Sequence, residues 1–214
     1  MIGAQAAQAL AKPRLRGVSH WWAFWVAIIA GAALVISAPA TAIAVYAISL
    51  AAMLGTSAAY HRGAWSPQAL RVIRRLDHSM IFVLVAGTYT PFATFVLDDA
   101  VGTAVLLVVW TGAFAGIAMN LVWTDAPRSA TAVSYVALGW VIVFASPQVI
   151  DQAGLTCVAL LLLGGLLYTA GAVVYARQWP DPAPAVFGFH EVFHLLVIAA
   201  AATHFAAVAI YATP

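Results

Sequence analysis

Charge is absent from long stretches of this chain: 17–61, 78–97, 100–124, 129–150, 152–176 and 192–214 contain no Asp, Glu, Lys or Arg. About 20 apolar residues suffice for a helix to cross a bilayer, and a helix satisfies its own backbone there without water. Each of the last five stretches holds one such span. The first is long enough for two and divides at Ser37-Ala38-Pro39-Ala40, because proline tends to end a helix. The expected spans are about 19–37, 41–61, 78–97, 101–123, 130–149, 154–176 and 187–211. With 64% hydrophobic and 7% charged residues, a soluble domain is excluded. The reading is an all-α polytopic membrane protein, with one seven-transmembrane-helix bundle over 19–211 behind a short segment, 1–18.

The basic residues orient this bundle. Lys12, Arg14 and Arg16 precede the first span, and Arg62, Arg71, Arg74 and Arg75 separate the second from the third. Arg128 and Arg177 fall in the fourth and sixth connections, so all 9 Lys and Arg share one face. Asp98, Asp99 and Asp151 mark the other. Basic residues collect on the cytoplasmic side, so the N-terminus is expected inside and the C-terminus outside, in the plasma (inner) membrane. One span more or fewer would scatter the pattern. The pI near 8.9 reflects this collar and not a nucleic-acid partner. The first apolar run is long enough to stay as a span and does not read as a cleaved signal. Cys157, alone in the sixth span, offers no disulfide framework and reads as a small buried apolar residue.

Topology then brings polar residues to one depth. His61 ends the second span, Asp77 and His78 open the third, and His190 and His194 open the seventh, all near the inner interface. His190-Glu191-Val192-Phe193-His194 has the i,i+4 spacing that aims two imidazoles from one helix face at a metal. Zinc takes imidazole nitrogen, and three protein ligands with an open fourth position mark its catalytic sites. His61, His190 and His194 are the expected Zn2+ ligands, with a water in the fourth position whose pKa falls toward about 7. Asp77 is expected beside that water as hydrogen-bond acceptor or general base, and Ser57, one turn before His61, as a donor to Asp77 or to a substrate carbonyl.

Plainer readings stand beside these. A histidine at a membrane interface commonly serves as an amphipathic anchor. Asp77 equally suits a cap of the third helix or a counter-ion of Arg74 or Arg75, and Ser57 suits helix packing. His204, about 15 Å further along the helix than His194, is too distant for the same metal and reads as an interior hydrogen-bonded residue or part of a cavity wall. His78 points about 100° away from Asp77 and ranks lower. His20, with Trp21, Trp22 and Trp25, fits an interfacial aromatic belt. Gly112 and Gly116 suit close helix packing, and Pro91 a kink. Asp125 and Arg128 read as a loop pair, and Asp181-Pro182-Ala183-Pro184 as a rigid connection.

Three motifs in order carry a resemblance across most of the chain. They are Thr56-Ser57-Ala58-Ala59-Tyr60-His61, then Leu76-Asp77-His78-Ser79-Met80-Ile81 leading to Ala86-Gly87-Thr88-Tyr89-Thr90-Pro91, then Phe187-Gly188-Phe189-His190-Glu191-Val192-Phe193-His194. Together they resemble the hemolysin III branch of the progestin and adipoQ receptor family, within a wider group that includes alkaline ceramidases. The resemblance implies a seven-helix bundle with a cytoplasmic N-terminus. It also implies a zinc held by His61, His190 and His194, with Asp77 and Ser57 beside it, and all five positions match. It further implies hydrolysis of a lipid amide such as ceramide, and a part in membrane lipid homeostasis. The long N-terminal region of the receptors has no counterpart here, so adiponectin-like signalling is not expected.

Three functions are in contention. The first is a zinc-dependent hydrolase of a membrane lipid, acting at an amide bond. The second is a membrane-damaging or lipid-sensing protein without enzymatic activity, although the spans are not polar-lined segments suited to a pore. The third is an intramembrane metalloprotease using His-Glu-x-x-His with Glu191 as base. That pattern would want a late carboxylate as third ligand, and no aspartate follows Asp181.

Overall fold

The computed structural model describes residues 12–123 and 126–214. Its regular elements are all helices: α1 (Val18–Ser37), α2 (Thr41–Arg62), α3 (Pro67–Phe95), α4 (Asp99–Val122), α5 (Arg128–Gly139), α6 (Ile142–Arg177) and α7 (Phe189–Tyr211). Five helical stretches are long and apolar enough to cross a membrane: α1, α2, α4, α7 and the joined run Arg128–Arg177. The chain is a multi-pass membrane protein. Many large apolar side chains, among them Ile29, Ile36, Val122 and Phe144, lie outward and exposed, where a lipid phase would cover them.

Chain punctuation explains most helix ends. Pro39 separates α1 from α2, and the Ala38 N–H still closes on the Leu34 carbonyl at 2.9 Å. Ser66 caps α3 by accepting from the Ala69 N–H at 3.3 Å, with Pro67 in the first helical position. This start is well upstream of residue 78, and it corrects one reading. Asp77 is an interior residue of α3, and its capping role belongs to Ser66. The early start also winds Arg71, Arg74 and Arg75 onto the helix.

The expected single helix over 130–149 is interrupted. Between α5 and α6 the Tyr89 hydroxyl donates to the Gly139 carbonyl and accepts from the Ile142 N–H, both at 2.7 Å. A side chain from α3 thereby satisfies the backbone groups that the break sets free. Further on, α6 has a non-helical residue at Gly154, with φ 81° and ψ 168°. The chain doubles back there. Trp140 Nε1 donates to Thr169 Oγ1 at 3.0 Å, and Arg128 lies 6.0 Å from the Tyr175 ring. Only glycine adopts this backbone at little cost.

Neighbouring helices pack in chain order, and α7 also touches α1 and α3. Small residues set the close approaches, as expected for helices in lipid. A Cβ on Gly116 would fall 2.2 Å from the Phe82 ring, and one on Gly112 2.6 Å from Leu138, so these two glycines of α4 receive large side chains. Cys157 is fully buried.

Candidate metal centre

The site assembles at one end of the bundle because three helix ends meet there. His61 lies in the last turn of α2, His190 and His194 in the first turns of α7, and His20 in the first turn of α1. One ring nitrogen from each of His61, His190 and His194 lies within 4.8 Å of the other two, a group that can hold a metal ion. His190 Nε2 and His61 Nε2 are 3.1 Å apart, and Asp77 Oδ2 is 4.0 Å from His61 Nε2.

The donor chemistry fits zinc. Three converging imidazoles without a thiolate match the donor set of zinc's three-ligand sites. His194 is 1% exposed, and its Nδ1 is buried without a hydrogen-bond partner. A buried polar atom in that state costs about 1–3 kcal/mol unless something else meets it. Crowding three basic rings into one buried corner is unfavourable by itself, and a cation between them reverses the sign of that interaction.

His20 does not join the aromatic belt. Trp21, Trp22 and Trp25 are 40–66% exposed, while His20 is 2% exposed on the opposite face of α1. Its ring stacks on His194, and its Nδ1 meets Ser57 Oγ at 2.8 Å. Ser57 also neighbours the Asp77 carboxyl. The available signal was angular: on a helical wheel His20 lies some 160° from Trp22.

Glu191 has other partners. Its Oε1 pairs with the Arg16 guanidinium and its Oε2 accepts from the Gly188 N–H at 2.7 Å, capping α7. It is 2% exposed. Arg16 belongs to a strap, residues 13–17, that passes beside His61. Arg14 N and Leu15 N donate to Ala185 and Val186 carbonyls at 3.1 and 3.0 Å, tying the strap to the connection before α7. Asp181 Oδ1 accepts from the Phe189 N–H at 2.8 Å, so that connection is itself fastened to α7. The pairing of Asp125 with Arg128 lies outside the described residues.

From the histidines a cavity of about 120 Å³ extends into the bundle between Met53, Leu84, Val136, Phe193 and Val197. His78 and His204 line it too, and His204 Nε2 faces the Leu161 carbonyl at 3.1 Å. Most of the cavity wall is apolar.

A family profile described as "Haemolysin-III related" matches residues 8–205, nearly the whole chain. The chain belongs to the haemolysin III-related family. Among relatives in this family, "Hemolysin-3" of Bacillus cereus is 32% identical over 148 residues, 69% of this chain and 65% of that protein. The "Hemolysin-3 homolog" of Bacillus subtilis (strain 168) is 30% identical over 140 residues, 65% of this chain and 63% of that protein. These alignments thus span a little under two thirds of each relative's length. The haemolysin III match covers all three histidines of the cluster.

Proposed function

We propose that this protein is a zinc-dependent hydrolase of a membrane lipid, cleaving an amide bond such as that of ceramide. The observation that carries the reading is the meeting of His61, His190, His194 and Asp77, with His190, His194 and Asp77 also lining a largely apolar cavity. His61, His190 and His194 would hold the metal. Zinc, when bound, would polarise the scissile carbonyl and make a nearby water a nucleophile at neutral pH. Asp77 would accept a proton from that water and return it to the departing nitrogen. Ser57 would steady both Asp77 and His20, and the apolar walls would hold the acyl chain. The bundle would cross the membrane seven times, N-terminus inside and C-terminus outside, with the joined run Arg128–Arg177 forming two crossings folded at Gly154. Kinship with the progestin and adipoQ receptors and the alkaline ceramidases, and a role in lipid homeostasis, belong to the same reading.

Purified protein should contain one zinc per chain and release fatty acid from a ceramide or another acyl amide. Stoichiometric zinc without any such cleavage would leave a structural or sensory metal protein. The names of the Bacillus relatives support a second reading, membrane damage. Dye leakage from liposomes that persists after loss of all three histidines would favour it. Glu191 is a poor candidate for a protease base, because both of its oxygens already serve Arg16 and Gly188.

A further inference from the structure

A second cavity, of about 230 Å³, opens at the same end of the bundle as the histidines and is walled by arginine. Arg71, Arg74, Arg75 and His78 recur at i, i+3, i+4 and i+7, one face of the upstream extension of α3. Arg128, in the first turn of α5, closes the cavity from the other side, and Trp123 stands at its rim. Among the described residues the ion pairs are Arg16–Glu191 and His61–Asp77, and neither involves these four arginines. Asp125 lies in the adjoining connection, and a single carboxylate would still leave three of the four charges uncompensated.

The wall also offers an unmet neutral donor. Asn120 is 8% exposed, lines this cavity, and its Nδ2 is buried without a hydrogen-bond partner. The guanidinium forks of α3 and an amide N–H together present many donors, and Arg128, which also faces the Tyr175 ring, adds another fork. A group with several anionic oxygens answers all of these at once, and arginine forks match phosphate geometry. Basic pockets between membrane helices hold anionic headgroups in this manner.

We propose that Arg71, Arg74, Arg75 and Arg128, with Asn120, bind the phosphate group of an anionic phospholipid, in the leaflet that the basic residues mark. Free inorganic phosphate shares this chemistry and is the other possible source. His78 and Tyr175 line both this cavity and the one reached from the histidines, so the headgroup sits across a shared wall from the metal centre. The site stands whether or not the protein is a hydrolase.

The test uses the intact protein in nanodiscs of phosphatidylcholine, with or without phosphatidylglycerol. Phosphatidylglycerol should raise the unfolding temperature, and native mass spectrometry should detect one retained phosphatidylglycerol per chain. The double variant Arg71→Gln, Arg74→Gln, at two exposed positions, should bind it at least tenfold more weakly while keeping its zinc content. Arg14→Gln, a basic residue at the same end but outside the cavity, should behave as wild type. An equal loss in both variants would show a general charge effect and overturn the proposal. Millimolar inorganic phosphate, tested on detergent-purified protein, separates the sources. Protection by phosphate alone assigns the pocket to the free anion, and no response to either ligand overturns the site.

Discussion

His20 lies flat on His194, with ring centroids 3.7 Å apart and planes 7° from parallel. Ser57 Oγ meets Nδ1 of the His20 ring, so a residue of α1 is clamped between α2 and the helix that supplies two of the three candidate ligands. The stack restricts the rotation of His194 about its side-chain bonds. Orientation of a ligand ring by a neighbour of this kind contributes to metal affinity.

Replacing His20 by Ala should therefore weaken zinc binding by about 10- to 100-fold without abolishing it. Competition with a chromophoric chelator measures this directly. His194→Ala, by contrast, should leave no stoichiometric metal. If His20→Ala binds zinc as tightly as the wild type, the stack has no part in ordering the ligands.

Glu191→Gln and Asp77→Asn should part company. Loss of the Glu191 charge leaves Arg16 unpaired beside a buried group and loosens the strap; breaking a buried pair costs about 3–5 kcal/mol. Discounted for Arg16, whose side chain is 18% exposed, the expected fall in stability is about half of that. Protein that remains folded should keep zinc and turnover. Asp77→Asn should keep fold and zinc and lose turnover. Thermal unfolding, metal analysis and amide cleavage on the two variants read out all three quantities, and the reverse pattern would make Glu191 the base.

Tyr89→Phe should lower stability by about 1–3 kcal/mol, because the Ile142 N–H and the Gly139 carbonyl both lose their partner at the break between α5 and α6. Zinc content should be unchanged, since the break lies away from the histidines. Unfolding in mixed micelles with and without zinc would check both parts.

Gly17→Ala should disturb the metal centre from outside it. Gly17 has φ +76°, and a Cβ there would stand 2.5 Å from His61 Cβ. The left-handed backbone alone costs about 1–2 kcal/mol with a side chain present, and relief of the contact requires His61 or the strap to move. The variant should unfold earlier and retain zinc less well after dialysis against chelator. Gly139→Ala, where a new Cβ meets nothing within 4 Å, serves as the matched control and should bind zinc normally.

Helix positions and a shared depth were legible in the chain because both depend on a one-dimensional quantity. Charge is excluded from apolar spans, so the gaps between Asp, Glu, Lys and Arg mark the helices. Counting those gaps places His61, Asp77, His190 and His194 near one end. The i,i+4 pair on α7 needed only helical geometry. Rotation of each helix about its own axis was a different matter. Helices that are apolar on every side carry no amphipathic stripe to say which face turns inward, so His20 looked like part of a tryptophan belt until α7 packed against α1. The same packing gave Glu191 to Arg16, broke the fifth span at the Tyr89 hydroxyl, and brought Arg128 opposite the arginines of α3. Each of those partnerships joins residues far apart in sequence, and contacts between close-fitting side chains decide them, not hydropathy.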